Sequence, residues 1–492
     1  MTRLSATQLP ALARRGIQTP GYDRAALRPG LGHIGVGAFH RCHQAEFTED
    51  LLEMGAEDRY LTGIVLRPPW MSQAIRDQSG LYTRTLVAGQ SRDIRVIGAY
   101  RKVIDCIQGA DDALRVLADP RMQVFTITVT EKGYCHIPST GVLDLAHPDI
   151  VADLQNPTSP TSLIGLLVEG LRRRSANGTG GLALVSCDNV PGNGTVLGQA
   201  LIRMAEVQDP PLADWIAANC RFPETMIDRI VPASTDVDRA AVHAATGLID
   251  AIPVVGEPFR QWIIQESEWA GMPKWDRAGA QFTKHVTEHE RIKMRLLNGA
   301  QSSVAHIGAL LGIEHSCDAI EHPPLRSFVR DMLTQESART LPADIIGMEL
   351  PSYIDRTMER ISNQAIKHRN HQIATDGSAK IGQRLLAPAL ELLNAGAPAK
   401  RLSIAAASWA AYLAVASRRY GARWQAQDPL SDTVNTLVEE TDGPAQLADA
   451  ILSLDQVFPK KLAVQKSFRD TFSNAFENWI LAPSARSWLG VE

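Results

Sequence analysis

The feature that most constrains this chain is a change of hydrophobic period partway along it. In the first half, short apolar runs alternate with stretches whose apolar residues recur at helical spacing, the pattern of strands and crossover helices in a doubly wound α/β layer. Residues 33–37 and 60–66 are the first two strand candidates, and 39–54 between them carries Phe39, Phe47, Leu51 and Leu52 at helical spacing. Further strands are expected at 124–129 and 182–186. Segment 81–97 is rich in Thr, Val and Tyr and broken at Gly89, which predicts a β-hairpin arm inserted in the α/β layer. Beyond about Val286 strand signals fade, and helices are expected over 291–311, 325–335, 383–393, 402–417 and 445–452. The chain therefore reads as an α/β domain over 1–285 followed by a mostly α-helical domain over 286–492.

At 492 residues the chain is too long for one core, and 45% hydrophobic with 21% charged residues is the balance of a folded protein. A net charge of −4 with no extended Lys/Arg run argues against a nucleic-acid partner. The longest uncharged apolar stretch, 402–417, falls short of the roughly 18–20 residues that cross a bilayer and reads as a buried helix rather than a membrane span. Residues 1–16 hold Arg3, Arg14 and Arg15 without an apolar core and cleavage site, so a cytoplasmic chain is expected. The six cysteines form no C-x-x-C pair, which points to reduced thiols rather than to disulfides or a thiolate zinc site.

Gly35-Val36-Gly37-Ala38-Phe39-His40 follows a strand candidate and opens a helix. In that context a glycine turn lets backbone N–H groups approach a pyrophosphate, as in a Rossmann-type nucleotide-binding domain. Gly35, Gly37, Ala38 and Phe39 are the candidate contacts; His40 stands where the usual third glycine would be, so a purely structural turn is the competing reading. The second strand ends in Leu66-Arg67-Pro68-Pro69, with no acid to hold the ribose hydroxyls of NAD. Arg67 is suited to the extra phosphate of NADP, although an Arg at a strand end is more often a solvated or structural residue, and the choice between NAD and NADP stays open.

In the helical half, Glu290, Lys293, Asn298 and Gln301 fall within an arc of roughly 140° if the segment is a regular α-helix. Ile292, Met294, Leu296 and Leu297 around them are apolar. Polar groups on such a buried helix need a reason, either a structural hydrogen-bond network or chemistry.

Gly35-Val36-Gly37-Ala38-Phe39-His40-Arg41, Thr128-Val129-Thr130-Glu131-Lys132-Gly133-Tyr134, Ser186-Cys187-Asp188-Asn189, Phe222-Pro223-Glu224-Thr225-Met226-Ile227-Asp228-Arg229 and the segment from Lys293 to Asn298 occur in the order found in the mannitol dehydrogenase family, which this chain resembles from about residue 30 to 430. The resemblance implies an N-terminal Rossmann-type domain and a helical C-terminal domain, with a metal-independent active site in the cleft between them. It implies that Lys293 is the general acid/base, that Asn189 and Asn298 stabilise the developing alkoxide, and that Glu290 assists proton exchange. It further implies that Asp228 and Lys380 hold substrate and that Thr130 and Glu131 belong to the cofactor side. Those residue types suit the reaction. Removing a hydroxyl proton while hydride leaves the same carbon needs a base at the oxygen and donors for its growing charge.

The stretch from Lys367 to Arg384 looks more like the fructuronate reductase (mannonate oxidoreductase) branch than like mannitol 2-dehydrogenases, which usually carry Arg where Gln372 stands. A sugar acid wants cationic donors for its carboxylate, and Arg369, Lys380 and Arg384 are available. Gln301 replaces a His common in the family and keeps a donor and an acceptor without carrying a proton. The expected substrate is thus an open-chain sugar acid and its keto form, used with NAD or NADP by a monomer or weak homo-oligomer. A polyol dehydrogenase and a non-catalytic sugar- or cofactor-binding regulator are the alternatives. His285-Val286-Thr287-Glu288-His289 matches an H-x-x-E-H zinc pattern, but its place just before Lys293 favours a chance match, and no metal is expected.

Overall fold

Strands that are apolar on both faces need cover on both sides, and the strands of the first half have it. A computed structural model describes residues 2–66, 69–107, 109–137, 140–342 and 349–481. Its contacts divide the chain into two compact units, Met1–His289 and Glu290–Glu492. The first contains eleven strands among its described residues: β1 (Arg28–Ile34), β2 (Arg59–Val65), β3 (Tyr82–Ala88), β4 (Ser91–Ile97), β5 (Tyr100–Asp105), β6 (Val124–Ile127), β7 (Ala183–Ser186), β8 (Thr225–Asp228), β9 (Val254–Gly256), β10 (Gln261–Gln265) and β11 (Gln281–Thr283).

Five of them form a parallel sheet in the order β5-β2-β1-β6-β7. Leu114, Leu167, Leu197 and Leu201, from the helices Asp111–Ala118, Leu163–Ala176 and Asn193–Gln208, cover one face against Phe125, Ile127 and Leu184. Phe47, Leu51, Trp262 and Trp275 belong to the core on the other face, with Leu31, Leu61 and Val185. The order reverses on either side of β1, so the carboxyl ends of β1 and β6 flank a topological switch point, where open α/β sheets bind their ligands.

The hairpin arm forms as β3 and β4, paired antiparallel from Tyr82↔Ile97 to Ala88↔Ser91, with Gly89 at φ +55° in its two-residue turn. It also gains a third strand, β9, which pairs parallel to β3 from a distant part of the sequence. Two of the expected boundaries change around the glycine turn. The first strand stops at Ile34 instead of reaching residue 37, because Gly35 turns to φ +90°. The helix expected over 39–54 is two helices, Ala38–Arg41 and Gln44–Glu53, broken at His43, whose Nε2 lies 2.9 Å from the Gln261 carbonyl oxygen.

The unit Glu290–Glu492 has no strand among its described residues. Its centre is the helix Lys400–Tyr420, buried over most of its length from Leu402 to Ala416. A run of alanines on that helix allows close approach by Gly299–Leu310 and Lys466–Leu481. No helix among the described residues is long and apolar enough to cross a membrane. The helices expected over 291–311 and 383–393 are each interrupted by a π-helical turn, at Met294–Asn298 and Gly382–Leu386.

Candidate functional site

In the first unit the site is made by backbone. A Cβ at Gly35 would stand 1.9 Å from the Thr128 carbonyl oxygen, so the end of β6 closes directly on the turn and glycine is required there on two counts, space and φ. Gly37 differs: its φ is −87°, and a Cβ there would meet only the Gly35 carbonyl oxygen, at 3.8 Å. Open space beside Gly37, next to the leading N–H groups of the helix that begins at Ala38 and continues with half-buried Phe39, is what an anionic ligand requires. Beneath the turn, His33 Nε2 donates to the Gly35 carbonyl oxygen (3.0 Å) and its Nδ1 lies 2.8 Å from Thr126 Oγ1. Burial pushes the His33 pKa down to about 3, so the ring stays neutral. His40, in place of the third glycine, stacks on His33 with ring centroids 3.2 Å apart; two imidazoles fill the contact that glycine would otherwise close.

Beside the turn, the loops after β6 and β7 are tied together by Asp188. Its carboxylate accepts the backbone N–H groups of Val129 (3.0 Å) and Thr130 (2.9 Å) and the hydroxyl of Tyr134 (2.8 Å). Thr130 is held at φ +69°, a conformation that a non-glycine residue keeps only when its surroundings enforce it. Burial pushes the Asp188 carboxyl up to about 6, against the pull of the three donors. The exposed Thr130 and half-buried Glu131, which opens a short 3-10 turn, thus lie at the carboxyl edge of the sheet with Gly35. Half-buried Asn189 follows Asp188 directly, and buried Asp228 ends β8. Arg67 lies outside the described residues.

In the second unit the site is made by side chains on interrupted helices. The regular α-helix expected for Glu290, Lys293, Asn298 and Gln301 is corrected by the π turn at Met294–Asn298. At 3.6 residues per turn, Lys293 and Asn298 would diverge by about 140°. An i→i+5 turn instead brings them back to the same side. Lys293 and Asn298 are buried, Glu290 and Gln301 half-buried. Asn298 Nδ2 donates to Gln301 Oε1 at 3.4 Å, while its Oδ1 is buried with no protein partner.

Arg295, within this turn, is anchored by Glu391 (2.5 and 2.6 Å) and by the Thr340 carbonyl oxygen (2.9 Å). The second π turn, Gly382–Leu386, packs against the first, and a Cβ at Gly299 would lie 3.2 Å from the Arg384 carbonyl oxygen. Lys380, just before it, donates to the Thr375 carbonyl oxygen. Gln372 is exposed on the short helix Asn370–Ala374. Ser302 and His306 belong to no motif in the sequence, and Arg384 stands out there only as one of three available cations; Asp188 lies in the Ser186-Cys187-Asp188-Asn189 run, but nothing in that run marks it as the acceptor that ties the two loops.

The H-x-x-E-H residues divide: His285 is exposed with Nδ1 3.4 Å from Glu288, and His289 is buried. Among the described residues, one group of metal-ligating type comes together, Cys135, His147 and Asp149, with ligand atoms within 4.8 Å of one another. His147 Nδ1 there accepts the Asp149 backbone N–H (3.3 Å), a helix-capping role.

Comparison with known proteins matches residues 30–277 to the mannitol dehydrogenase Rossmann domain and residues 285–480 to the mannitol dehydrogenase C-terminal domain. The chain is 35% identical to D-mannonate oxidoreductase of Escherichia coli K12 over 97% of each chain. It is also 35% identical to mannitol 2-dehydrogenase of Cereibacter sphaeroides, over 81% of this chain and 83% of that one. The structure of Pseudomonas fluorescens mannitol 2-dehydrogenase, a ternary complex with NAD and D-mannitol, superimposes with a TM-score of 0.92 at 29% identity, covering 100% of this chain and 99% of that one. With both units matched in order and nearly the whole chain covered, this protein belongs to the mannitol dehydrogenase family.

Proposed function

We propose that the chain is an NAD(P)-dependent dehydrogenase that moves hydride between a nicotinamide and the secondary alcohol of an open-chain sugar acid, or the matching ketone, as in the fructuronate and mannonate pair. Nucleotide handling is assigned to the unit Met1–His289 and proton transfer to the unit Glu290–Glu492. The observation that carries the reading is buried Lys293 one π turn from Asn298, an amine and an amide held on the same side of the helix among buried Ile292, Met294, Leu296 and Leu297. The likeness to D-mannonate oxidoreductase over 97% of both chains favours the sugar acid.

The residues at the switch point fit a dinucleotide: Gly37 leaves open space, and Gly35, Ala38 and Phe39 present backbone beside it, with Thr130 and Glu131 at the neighbouring strand end. NAD is the favoured form, since the Pseudomonas structure holds NAD. A bound nicotinamide supplies the hydride acceptor, or the donor in reverse. In oxidation, Lys293 as a neutral amine takes the hydroxyl proton; in reduction its ammonium returns one to the same oxygen. Asn298 Nδ2 stabilises the negative charge that grows on that oxygen, with Asn189 assigned the same task. Glu290, half-buried one turn before Lys293, passes the proton to solvent. Asp228, Gln301 and Lys380 are assigned to the substrate hydroxyls. Six free thiols, five of them buried, support a reducing cytoplasm.

A neutral polyol is the second reading, favoured by the full-length likeness to the mannitol-bound structure. Assay of the purified chain with NADH and NADPH against ketoses and keto sugar acids separates the two. The sugar-acid reading expects the higher specificity constant with keto acids, and a preference for D-fructose overturns it. Bound cofactor with no turnover of either class overturns both.

A further inference from the structure

The helix Gly299–Leu310 is buried almost throughout, yet Asn298, Ser302 and His306 recur on it and its N-cap at intervals of four residues. That spacing stacks them in one row along a single face, each about 6 Å beyond the last. A polar row inside an apolar helix is costly unless each member is satisfied. Asn298 Oδ1 and both ring nitrogens of His306 are buried with no protein partner.

Cations face this row. Arg384, itself 7% exposed on the second π turn, donates from Nη1 to Ser302 Oγ at 2.9 Å. The helix Gly377–Ile381, which carries Lys380, approaches from the same direction: a Cβ at Gly377 would lie 3.2 Å from His306 Nε2. Burial, followed by the charges of Arg384 and Lys380, pushes the His306 pKa down to about 3. His306 is therefore a neutral ring with one donor, standing among cations. Of the three cations that the sequence offered for a carboxylate, Arg369 is at the surface, 62% exposed and 3.3 Å from Glu314. Lys380 already donates to the Thr375 carbonyl oxygen. Arg384 is the one buried, and it bonds Ser302, the member of the row one turn beyond Asn298.

We infer that Arg384, positioned by Ser302 and flanked by His306, is the specificity determinant that binds the substrate carboxylate. The ruler is the helix itself. Ser302 lies one turn, about 6 Å, from Asn298, a span that an open-chain sugar acid bridges between its ketone carbon and its carboxylate. A guanidinium there presents paired N–H donors to a planar anion, and the neutral His306 adds a donor without needing a counter-charge. A ketose with a hydroxymethyl group at that end leaves the guanidinium facing a group that cannot pair with it, so the same residue selects against the neutral sugar. The inference rests on the proposed sugar-acid reading and names the residues that enforce it.

The test compares D-fructuronate with D-fructose, which differ at the far end by a carboxylate in place of a hydroxymethyl group. In wild type, a preference for D-fructose removes the sugar-acid reading and this inference together. With an acid preference in wild type, Arg384→Gln is expected to lower kcat/KM for the acid by roughly 10- to 100-fold, mainly through KM, the range of a lost hydrogen bond to a charged group. The acid-to-neutral ratio collapses with it, and added guanidinium at millimolar concentration partly restores the acid reaction of Arg384→Ala. An unchanged ratio in an Arg384→Gln protein that melts and binds NADH like wild type overturns the inference while leaving the sugar-acid reading intact. Should Arg384→Gln fail to fold, Ser302→Ala and His306→Gln carry the test: a several-fold fall in the ratio supports the inference, and a ratio equal to wild type overturns it.

Discussion

The glycine turn of the first unit and the paired π turns of the second solve the same problem by opposite means. At the switch point the candidate site is shaped by backbone: Gly35 at φ +90°, Thr130 at φ +69° and the Asp188 carboxylate that ties two loops together. In the helical unit the backbone interruption aims side chains; Met294–Asn298 returns Lys293 and Asn298 to one side, and Arg384 in Gly382–Leu386 donates to Ser302, one turn beyond Asn298. The proposed roles therefore predict that substitutions in the glycine turn act on fold and cofactor affinity, whereas those of Lys293 and its neighbours act on turnover and substrate choice. The reason lies in what each group holds. An N–H donor in a tight loop cannot be removed without moving the chain, while a side chain on a helix packed by Leu296, Leu297 and Val304 can.

The sharpest way to break that division is at Lys293. Lys293→Ala is expected to lower turnover by about 10²- to 10⁴-fold, the range of a lost general base, with NADH affinity nearly unchanged. Turnover within a few-fold of wild type would end the assignment of Lys293, and a lost NADH affinity would end the division between the regions.

At Gly35 the expectation is reversed. A Cβ 1.9 Å from the Thr128 carbonyl oxygen, at a φ that L-residues avoid, forces the end of β6 away from β1. Gly35→Ala should lose about 3 kcal/mol or more of stability, read as a fall in the denaturation midpoint, before any question of catalysis arises. A midpoint equal to wild type would mean that the turn is not held as described.

Asp188 gives a pH signature confined to the first region. Its pKa is pushed up from 3.8 to about 6, so between those values the folded chain binds the proton that the unfolded chain has released. Its contribution to stability is therefore present below about pH 4 and lost as pH rises through about 6, by up to about 3 kcal/mol. Denaturation midpoints measured from pH 4 to 7 should carry this descending component in wild type and lack it in Asp188→Asn; identical profiles would remove Asp188 from the account.

Gly37 gives the smallest effect and refines the contrast within the turn itself. With φ −87° and only one atom within 4 Å of a built Cβ, Gly37→Ala should fold normally and bind NADH about tenfold more weakly, since the methyl enters the space meant for the ligand. Calorimetry showing unchanged affinity would place the dinucleotide elsewhere.

Much of this was legible in the residues. The parallel sheet, the hairpin at Gly89 and the helical second half followed from apolar periodicity, because burial on both faces or on one stripe leaves a local mark. The glycine turn and the Lys293–Asn298 segment were visible as motifs. The break at His43 was not, since it is fixed by the carbonyl of Gln261, 218 residues away. Nor were the π turns, because Ile292 to Leu297 continues a helical pattern without any residue that marks an extra one per turn. Ser302 and His306 read as ordinary members of a buried helix, and their meaning depends on Arg384 arriving from another segment.

By itself, then, the amino-acid order determined which stretches become strands or helices, that the chain has an α/β half and a helical half, and which chemical groups are available to it. Tertiary structure alone decided that His40 stacks on His33, that Asp188 clamps the loops beside the glycine turn, and that of three candidate cations Arg384 is the one buried beside Ser302. The physical reason is range. Hydrophobic period and turn chemistry act over a few residues and are written locally, whereas hydrogen bonds between buried groups join positions tens to hundreds of residues apart and exist only once the chain has closed around them.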